Sequence, residues 1–200
     1  MWHFEEKFID KDEIEEGVLP EKYLLPLTLV LSALFISSIF LVQNLAFPYW
    51  VYIIIAIICS RLIAIDLRHF LLPDVYTLPL LIMGVIIPPL ISDISFIDTV
   101  VGAVIGFAVP FSIAYGVYLW KGSTAGLGGG DIKLMAACGA WVGIMSLPLL
   151  IMLTCIISLI VSFFAFKNNH IPFGPGLCIA LWLLLIFNNN IQNIINTLIL

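Results

Sequence analysis

The sequence contains very few charged residues. Asp, Glu, Lys and Arg make up 10% of its 200 residues, hydrophobic residues make up 62%, and the mean hydropathy is +1.16. A soluble domain has about a quarter of its residues charged. This shortage of charge excludes an ordinary soluble domain and indicates an integral membrane protein. We therefore expect the lipid bilayer as a partner, and no nucleic acid.

Several common motifs are also absent. There is no C-x-x-C pair, so neither a zinc knuckle nor a disulfide framework is visible. There is no P-loop, and no strand leads into a dinucleotide-type glycine motif. We expect no metal and no cofactor. Free cysteines are often buried, so we interpret the four as small core residues. They are Cys59, Cys138, Cys155 and Cys178.

The N-terminal segment lacks the basic start of a signal peptide. Residues 1–22 hold eight of the thirteen acids, and we interpret them as an acidic cytoplasmic arm. We expect residues 23–200 to form the transmembrane domain. The five remaining acids lie within it, at Asp66, Asp74, Asp93, Asp98 and Asp131.

Apolar stretches of the length that crosses a bilayer, about 20 residues, recur along the rest of the chain. They predict an all-α polytopic membrane protein, a bundle of about seven transmembrane helices. The ends of the fifth and seventh are the least defined. The predicted spans lie near 23–43, 48–65, 75–92, 97–119, 131–145, 147–166 and 175–190.

The eight basic residues fix an orientation for this bundle. All lie in or beside the N-terminal arm and the loops near 66–74, 120–131 and 167–174, and the opposite loops contain none. By the positive-inside rule the N-terminus is cytoplasmic and the C-terminus lies on the other side. Three acids then fall at cytoplasmic span ends, namely Asp66, Asp74 and Asp131. Asp93 and Asp98 bracket an outer loop.

The spacing of glycines predicts close helix packing. Gly102-x-x-x-Gly106 and Gly139-x-x-x-Gly143 place two small residues on one face of a helix, which lets neighbouring backbones approach closely.

The first acidic motif is IDLRHFLLPDVYTLPLL, from Ile65 to Leu81. Asp74 follows Pro73 at the start of a span, where the helix dipole alone would favour a carboxylate. Asp66 ends the preceding span, where the dipole disfavours an acid. An ion pair of Asp66 with Arg61 or Arg68 is the structural alternative.

The second acidic motif is GLGGGDIKL, from Gly126 to Leu134. Glycines adopt positive φ and allow another chain to approach closely. Asp131 starts a helix, with Lys133 in its first turn. A loop that ends in an ordinary N-cap Asp is the structural alternative.

Taken together, the two motifs favour catalysis. Ionisable residues at membrane depth are rare and usually functional. Two carboxylates on separate helices can converge, and like charges a few ångströms apart share one proton. The charged acid then takes a proton from water while the protonated one polarises a carbonyl, as in an aspartic protease.

Three stretches resemble the type IV prepilin peptidases, membrane aspartic proteases with a Gly-x-Gly-Asp signature. The first is Gly128-Gly129-Gly130-Asp131-Ile132-Lys133-Leu134, and the second is Asp66, six residues, then Pro73-Asp74. The third, IPFGPGLCIA from Ile171 to Ala180, is similar to the start of the family's last span. The resemblance covers about residues 20–190.

The resemblance implies that Asp66 and Asp131 are the catalytic pair. It implies supporting or substrate-positioning roles for Gly128, Gly129, Gly130, Asp74 and Lys133. It also implies a bacterial inner-membrane enzyme whose substrates are prepilins or pseudopilins, cleaved after a glycine on the cytoplasmic side.

This chain shows no cytoplasmic insert with paired C-x-x-C, which longer members of the family carry. We therefore expect no N-methyltransferase activity and no S-adenosylmethionine. The main alternative is a small proton-coupled transporter or channel component, since these also use glycine-interrupted helices and intramembrane acids. A structural membrane partner without chemistry is the third interpretation, and it leaves Asp66 unexplained.

Overall fold

The structure is a computed structural model that describes residues 23–40, 42, 45–92, 94–121, 128–165 and 173–187. Within these ranges the chain is helical and contains no strand. The predicted arm at 1–22 and Asp93 lie outside the described residues. The six helices are α1 Leu24–Ile39, α2 Tyr49–His69, α3 Asp74–Ile91, α4 Phe96–Lys121, α5 Gly129–Ala165 and α6 Phe173–Ile186.

Four helices, α2 to α5, are long and apolar enough to cross a membrane, and α1 and α6 are shorter apolar helices. Large hydrophobic side chains are exposed along these helices, among them Leu29, Ile82 and Phe163. An apolar surface of this kind suits a lipid surround, not water. The chain is therefore an all-α, multi-pass membrane protein, as the sequence predicts.

Helix α5 doubles back on itself at Gly143. The backbone there has φ 73° and ψ 172°, which is outside the helical region. A Cβ on Gly139 would lie 3.1 Å from the side chain of Leu147. Eight residues of straight helix span about 12 Å, so this contact requires the two halves to fold together. The predicted fifth and sixth spans are thus the two halves of α5, and the break lies at Gly143, not at residue 146.

The helices pack around α5, which contacts α3, α4 and α6, while α2 packs on α1 and α6. Gly102 on α4 faces Gly139 on α5 so closely that a Cβ on either would meet the other's carbonyl oxygen. A Cβ on Gly106 would lie 2.8 Å from the Met135 carbonyl oxygen. The close-packing prediction is confirmed at these three glycines. Gly143, the fourth glycine of these motifs, forms the kink in α5 instead.

Buried aromatic side chains connect the helices through their polar atoms. The Trp141 indole N–H on α5 donates to the Leu80 carbonyl on α3 at 2.9 Å. The Tyr52 hydroxyl on α2 donates to the Leu185 carbonyl on α6 at 3.1 Å. Each bond satisfies a polar group that apolar surroundings would otherwise leave unpaired. These contacts hold α3 and α5, and α2 and α6, in fixed register.

The core prediction for the cysteines holds for Cys59, Cys138 and Cys178, which are buried, and is wrong for Cys155, which is exposed. Cys155 lies on the second half of α5, next to the buried Thr154. In a membrane protein an exposed helix face also consists of apolar residues, so a cysteine in an apolar run does not reveal which face it occupies.

Candidate active site

Asp66 lies in the last turn of α2, which continues three residues beyond the predicted end and stops at His69. Its side chain is only 4% exposed. The carboxylate oxygen Oδ2 accepts a hydrogen bond from the backbone N–H of Gly174 at 3.2 Å. Gly174 is the second residue of α6, and the first N–H groups of a helix have no partner within it. An acid that its own helix disfavours is thus satisfied by the start of another helix.

Only glycine fits at position 174. A Cβ built there would lie 2.6 Å from Oδ2 and 2.8 Å from Cγ of Asp66. These distances are shorter than real Cβ contacts, so any larger residue would displace the carboxylate. Gly174 therefore both donates to Asp66 and leaves room for it.

Asp131 is the third residue of α5, which begins two residues earlier than predicted, at Gly129. Its Oδ2 accepts from the Gly128 N–H at 3.2 Å, while the Gly128 carbonyl accepts from the Asp131 N–H at 3.1 Å. This is one half of a capping box, in which the side chain of the third helical residue reaches back to the N-cap N–H; the return bond here comes from the backbone carbonyl, because glycine has no side chain. Asp131 is therefore not itself the N-cap, and its carboxylate is oriented by Gly128.

The structure brings Asp66 and Asp131 to one end of the bundle, where Leu72 lies against both Gly130, the residue before Asp131, and Gly174, the partner of Asp66. The two residues are 65 positions apart in sequence and lie on different helices, α2 and α5. Asp98 lies at the opposite end, where its Cβ is 3.7 Å from a Cβ built on Gly143. The acids are sorted between the two ends as the span count predicts.

Asp74 and Lys133 form an ion pair between the first turns of α3 and α5. The Lys133 ammonium donates to both carboxylate oxygens of Asp74, at 2.9 and 3.0 Å. Asp74 begins α3, as predicted. Its negative charge therefore interacts with the N-terminus of α3 and with Lys133 on α5. Lys133 follows Asp131 by two residues, so the pair lies beside the site.

The three glycines before Asp131 have different roles. Gly128 caps the helix, and Gly130 packs on Leu72, since a Cβ at 130 would lie 2.8 Å from the Leu72 Cβ. A Cβ on Gly129 would meet nothing within 4 Å. None of the three has a positive φ, because the only described glycine that does is Gly143. Left-handed backbone is therefore not used at these three positions, and the close approach at Gly130 is made by Leu72 of the same chain.

The groups needed to ligate a metal ion are not gathered anywhere in the described part of the chain. No three His, Cys, Asp or Glu side chains there are placed to hold one.

Comparison with known proteins assigns the chain to a family. The family model described as "Type IV leader peptidase family" matches residues 50–163, which is more than half of the chain. The chain belongs to the type IV leader peptidase family. The matched residues include Asp66, Asp74, Asp131 and Lys133.

Curated relatives give the same assignment. A protein of Aeromonas hydrophila named "Prepilin leader peptidase/N-methyltransferase" is 37% identical over 175 residues, covering 83% of this chain and 59% of its own length. Proteins of the same name from Neisseria gonorrhoeae and Escherichia coli are 35% and 39% identical, over 66% and 58% of this chain and 46% and 53% of theirs. The chain thus spans about half the length of these relatives. No solved structure gives a significant match.

Two residues of the site were not predicted from the leader peptidase motifs. Gly174 lies in the IPFGPGLCIA stretch, where the Phe-Gly-Pro-Gly run at a span start was the available signal. Leu72 lies inside the first acidic motif, but nothing distinguishes one leucine from its neighbours in an apolar sequence. Both are recognised only once α2, α5 and α6 are brought together.

Proposed function

We propose that the chain is an aspartic endopeptidase that removes the short basic leader of type IV prepilins or pseudopilins. The placement of Asp66 and Asp131 at one end of the bundle, each oriented by a backbone N–H, is the observation that carries this proposal. Membership in the leader peptidase family supports it, and so do the names of the relatives, each called a prepilin leader peptidase.

The two carboxylates share the proton work of amide hydrolysis. The ionised one removes a proton from water as the water oxygen attacks the peptide carbonyl, and the protonated one donates to the carbonyl oxygen. The tetrahedral intermediate then collapses, the C–N bond breaks, and the nitrogen leaves as an amine after receiving a proton from the pair. Each turnover thus consumes one water and returns the two acids to their starting state.

The backbone around the acids suits this role because it orients both. Gly174 donates to Asp66 and Gly128 donates to Asp131, so neither side chain depends on a flexible partner for its position. Preorganised groups of this kind raise rates by removing the cost of orientation during reaction. Gly128 and Gly129 are exposed beside Asp131, which leaves room for an extended substrate backbone.

The proposed site of cleavage is the cytoplasmic face of the bacterial inner membrane. The distribution of Lys and Arg supports a cytoplasmic N-terminus, and with seven crossings it puts Asp66 and Asp131 on that same side. The basic leader of the substrate would remain in the cytoplasm, and its apolar segment would stay in the bilayer. The proposed cut follows a glycine between these two parts.

The proposal is limited to the peptidase reaction. The relatives' names also include an N-methyltransferase, and our prediction for this chain is that it does not methylate the new N-terminus. Mass measurement of the processed substrate tests this, because a methylated product is heavier than the unmodified amine. Family membership favours the peptidase over the proton-coupled transporter.

The direct test is co-expression with a candidate prepilin, followed by the size shift that loss of the leader causes. Asp66→Asn and Asp131→Asn keep the side-chain shape but remove the shared proton, so each should abolish processing at normal membrane levels. Asp98→Asn, at the other end of the bundle, is the matched control and should cleave normally. Processing at the wild-type rate by either active-site variant would refute the assignment.

A further inference from the structure

The connection between α2 and α3 points one side chain into the site. Leu72 is 9% exposed, whereas Phe70 and Leu71 just before it are 37% and 48% exposed. A leucine that turns inward between exposed apolar neighbours occupies a specific space. In this connection that space is next to the two aspartates.

Leu72 contacts the backbone on both sides of the site. A Cβ on Gly130, the residue before Asp131, would lie 2.8 Å from the Leu72 Cβ. A Cβ on Gly174, the partner of Asp66, would lie 3.1 Å from Leu72 Cδ2 and 2.6 Å from Asp66 Oδ2. Leu72 and the Asp66 carboxylate therefore border the same small space between α5 and α6.

Leu72 is one of the side chains that border Asp66, since both lie near the same point beside Gly174. At 4% exposure the carboxylate is almost closed to solvent, although Asp131 beside it is partly exposed. A water molecule and a peptide carbonyl must both reach an acid that takes part in hydrolysis. Leu72 borders the side of Asp66 that faces Gly174.

Two features mark the ends of this connection. Phe70 has φ 50° and ψ 33°, a left-handed conformation that is unfavourable for any residue with a Cβ. The Asp74–Lys133 pair that follows Leu72 has side chains 51% and 32% exposed, respectively. Exposed ion pairs contribute little stability. The connection thus has a residue in a strained conformation at one end and an exposed, weak ion pair at the other.

We propose that Leu72 is the gate of this active site and that the Asp74–Lys133 pair is its latch. The gate is closed in this structure, and substrate binding displaces Leu72 so that the scissile peptide reaches Asp66. This inference deepens the proposed peptidase function and rests on it. It assigns Leu72 no chemical step, because an isobutyl group carries no proton and only controls access.

The first test needs no substrate. In full-length protein with Cys155→Ser, which removes the exposed native thiol, Asp66→Cys is labelled with a small methanethiosulfonate reagent. Adding Leu72→Ala should raise the labelling rate several-fold, and adding Leu71→Ala, the exposed neighbour, should not. Lys133→Gln, which removes the positive charge of the latch, should also raise the labelling rate. Labelling at the parent rate in both the Leu72 and Lys133 variants would overturn the gate.

The second test measures whether substrate opens the gate. In Asp131→Asn protein, which we expect to bind but not cleave, Leu72→Cys should label slowly alone and faster when a prepilin peptide spanning the cleavage site is added. Leu71→Cys should label at the same rate with and without peptide. If the first test succeeds and the peptide has no effect on Leu72→Cys, then a gate exists but this substrate does not open it. That result would overturn the proposal that substrate binding opens the gate, whereas the proposed peptidase function fails only if leader processing itself is absent.

Discussion

The backbone N–H of Gly174 donates a hydrogen bond to the Asp66 carboxylate across 3.2 Å, and it joins residues 108 positions apart. The bond links the last turn of α2 to the first turn of α6. It places the positive end of one helix against an acid at the unfavourable end of another. The orientation of the Asp66 side chain therefore depends on α6, which lies outside the first acidic motif.

Replacing Gly174 by alanine should abolish or strongly reduce leader processing. The new Cβ would lie 2.6 Å from Asp66 Oδ2, and the carboxylate would have to move away from Asp131. We expect a loss of about a hundredfold or more, because displacement of a catalytic group by about 1 Å costs that much. Gly116→Ala is the control, since a Cβ at 116 would meet nothing within 4 Å. Equal processing by the two alanine variants would contradict the role given to Gly174.

The three glycines before Asp131 should tolerate alanine very differently. Gly130→Ala forces a Cβ against Leu72 and should destabilise the protein by about 1–3 kcal/mol, the usual cost of overpacking. Gly129→Ala has open space and replaces a poor helix former, so it should be neutral or stabilising by up to about 1 kcal/mol. Thermal unfolding of the purified protein in detergent measures both. The same fall in melting temperature for the two variants would show that the difference in packing is unimportant.

These glycines also show how far the sequence could predict the site. Asp66 and Asp131 can be identified from the sequence, because isolated acids in an apolar chain are easily recognised. The G-x-G-D pattern could not separate Gly128, Gly129 and Gly130, since their roles depend on what each faces: the Asp131 carboxylate, open space or Leu72. Gly174 was missed because its function is a main-chain N–H, which every residue except proline carries. Contacts across the bundle decide such questions, and a single sequence does not display them.

The fold, like the site, could be predicted from the sequence only in part. Hydropathy located the helices because the bilayer imposes a length on each apolar run. It placed the reversal of α5 at residue 146 instead of 143, because Gly143 lies inside an unbroken apolar stretch and its backbone conformation has no hydropathy signal. Cys155 was misplaced for a related reason. Lipid and core both accept apolar side chains, so burial does not follow from composition in a membrane protein.

The Asp74–Lys133 pair should contribute little to stability on its own. Its side chains are 51% and 32% exposed, so Lys133→Ala or Asp74→Ala should lower the free energy of unfolding by no more than about 1 kcal/mol. High salt should remove most of the difference, because screening weakens exposed pairs. Reversing both charges, Asp74→Lys with Lys133→Asp, should recover stability lost in the single reversals. Large losses that salt leaves unchanged would show that the pair acts as a buried, not a surface, contact.

The reversal of α5 at Gly143 should be the most sensitive backbone position in the described chain. With φ 73° and ψ 172° the residue lies in a region that only glycine occupies readily, so any Cβ is strained there whatever the surrounding space. Gly143→Ala should cost about 1–3 kcal/mol of stability and lower the yield of folded protein in the membrane. The nearest side chains, of Ile94 and Asp98, would lie 3.5 and 3.7 Å from the added Cβ, which is ordinary contact, so the loss would come from the backbone and not from a clash. Ile94→Ala, which enlarges that space, should therefore fail to rescue Gly143→Ala. Rescue by Ile94→Ala in a thermal unfolding assay would mean that the glycine is required for packing and that the helix reversal does not depend on its dihedral angles.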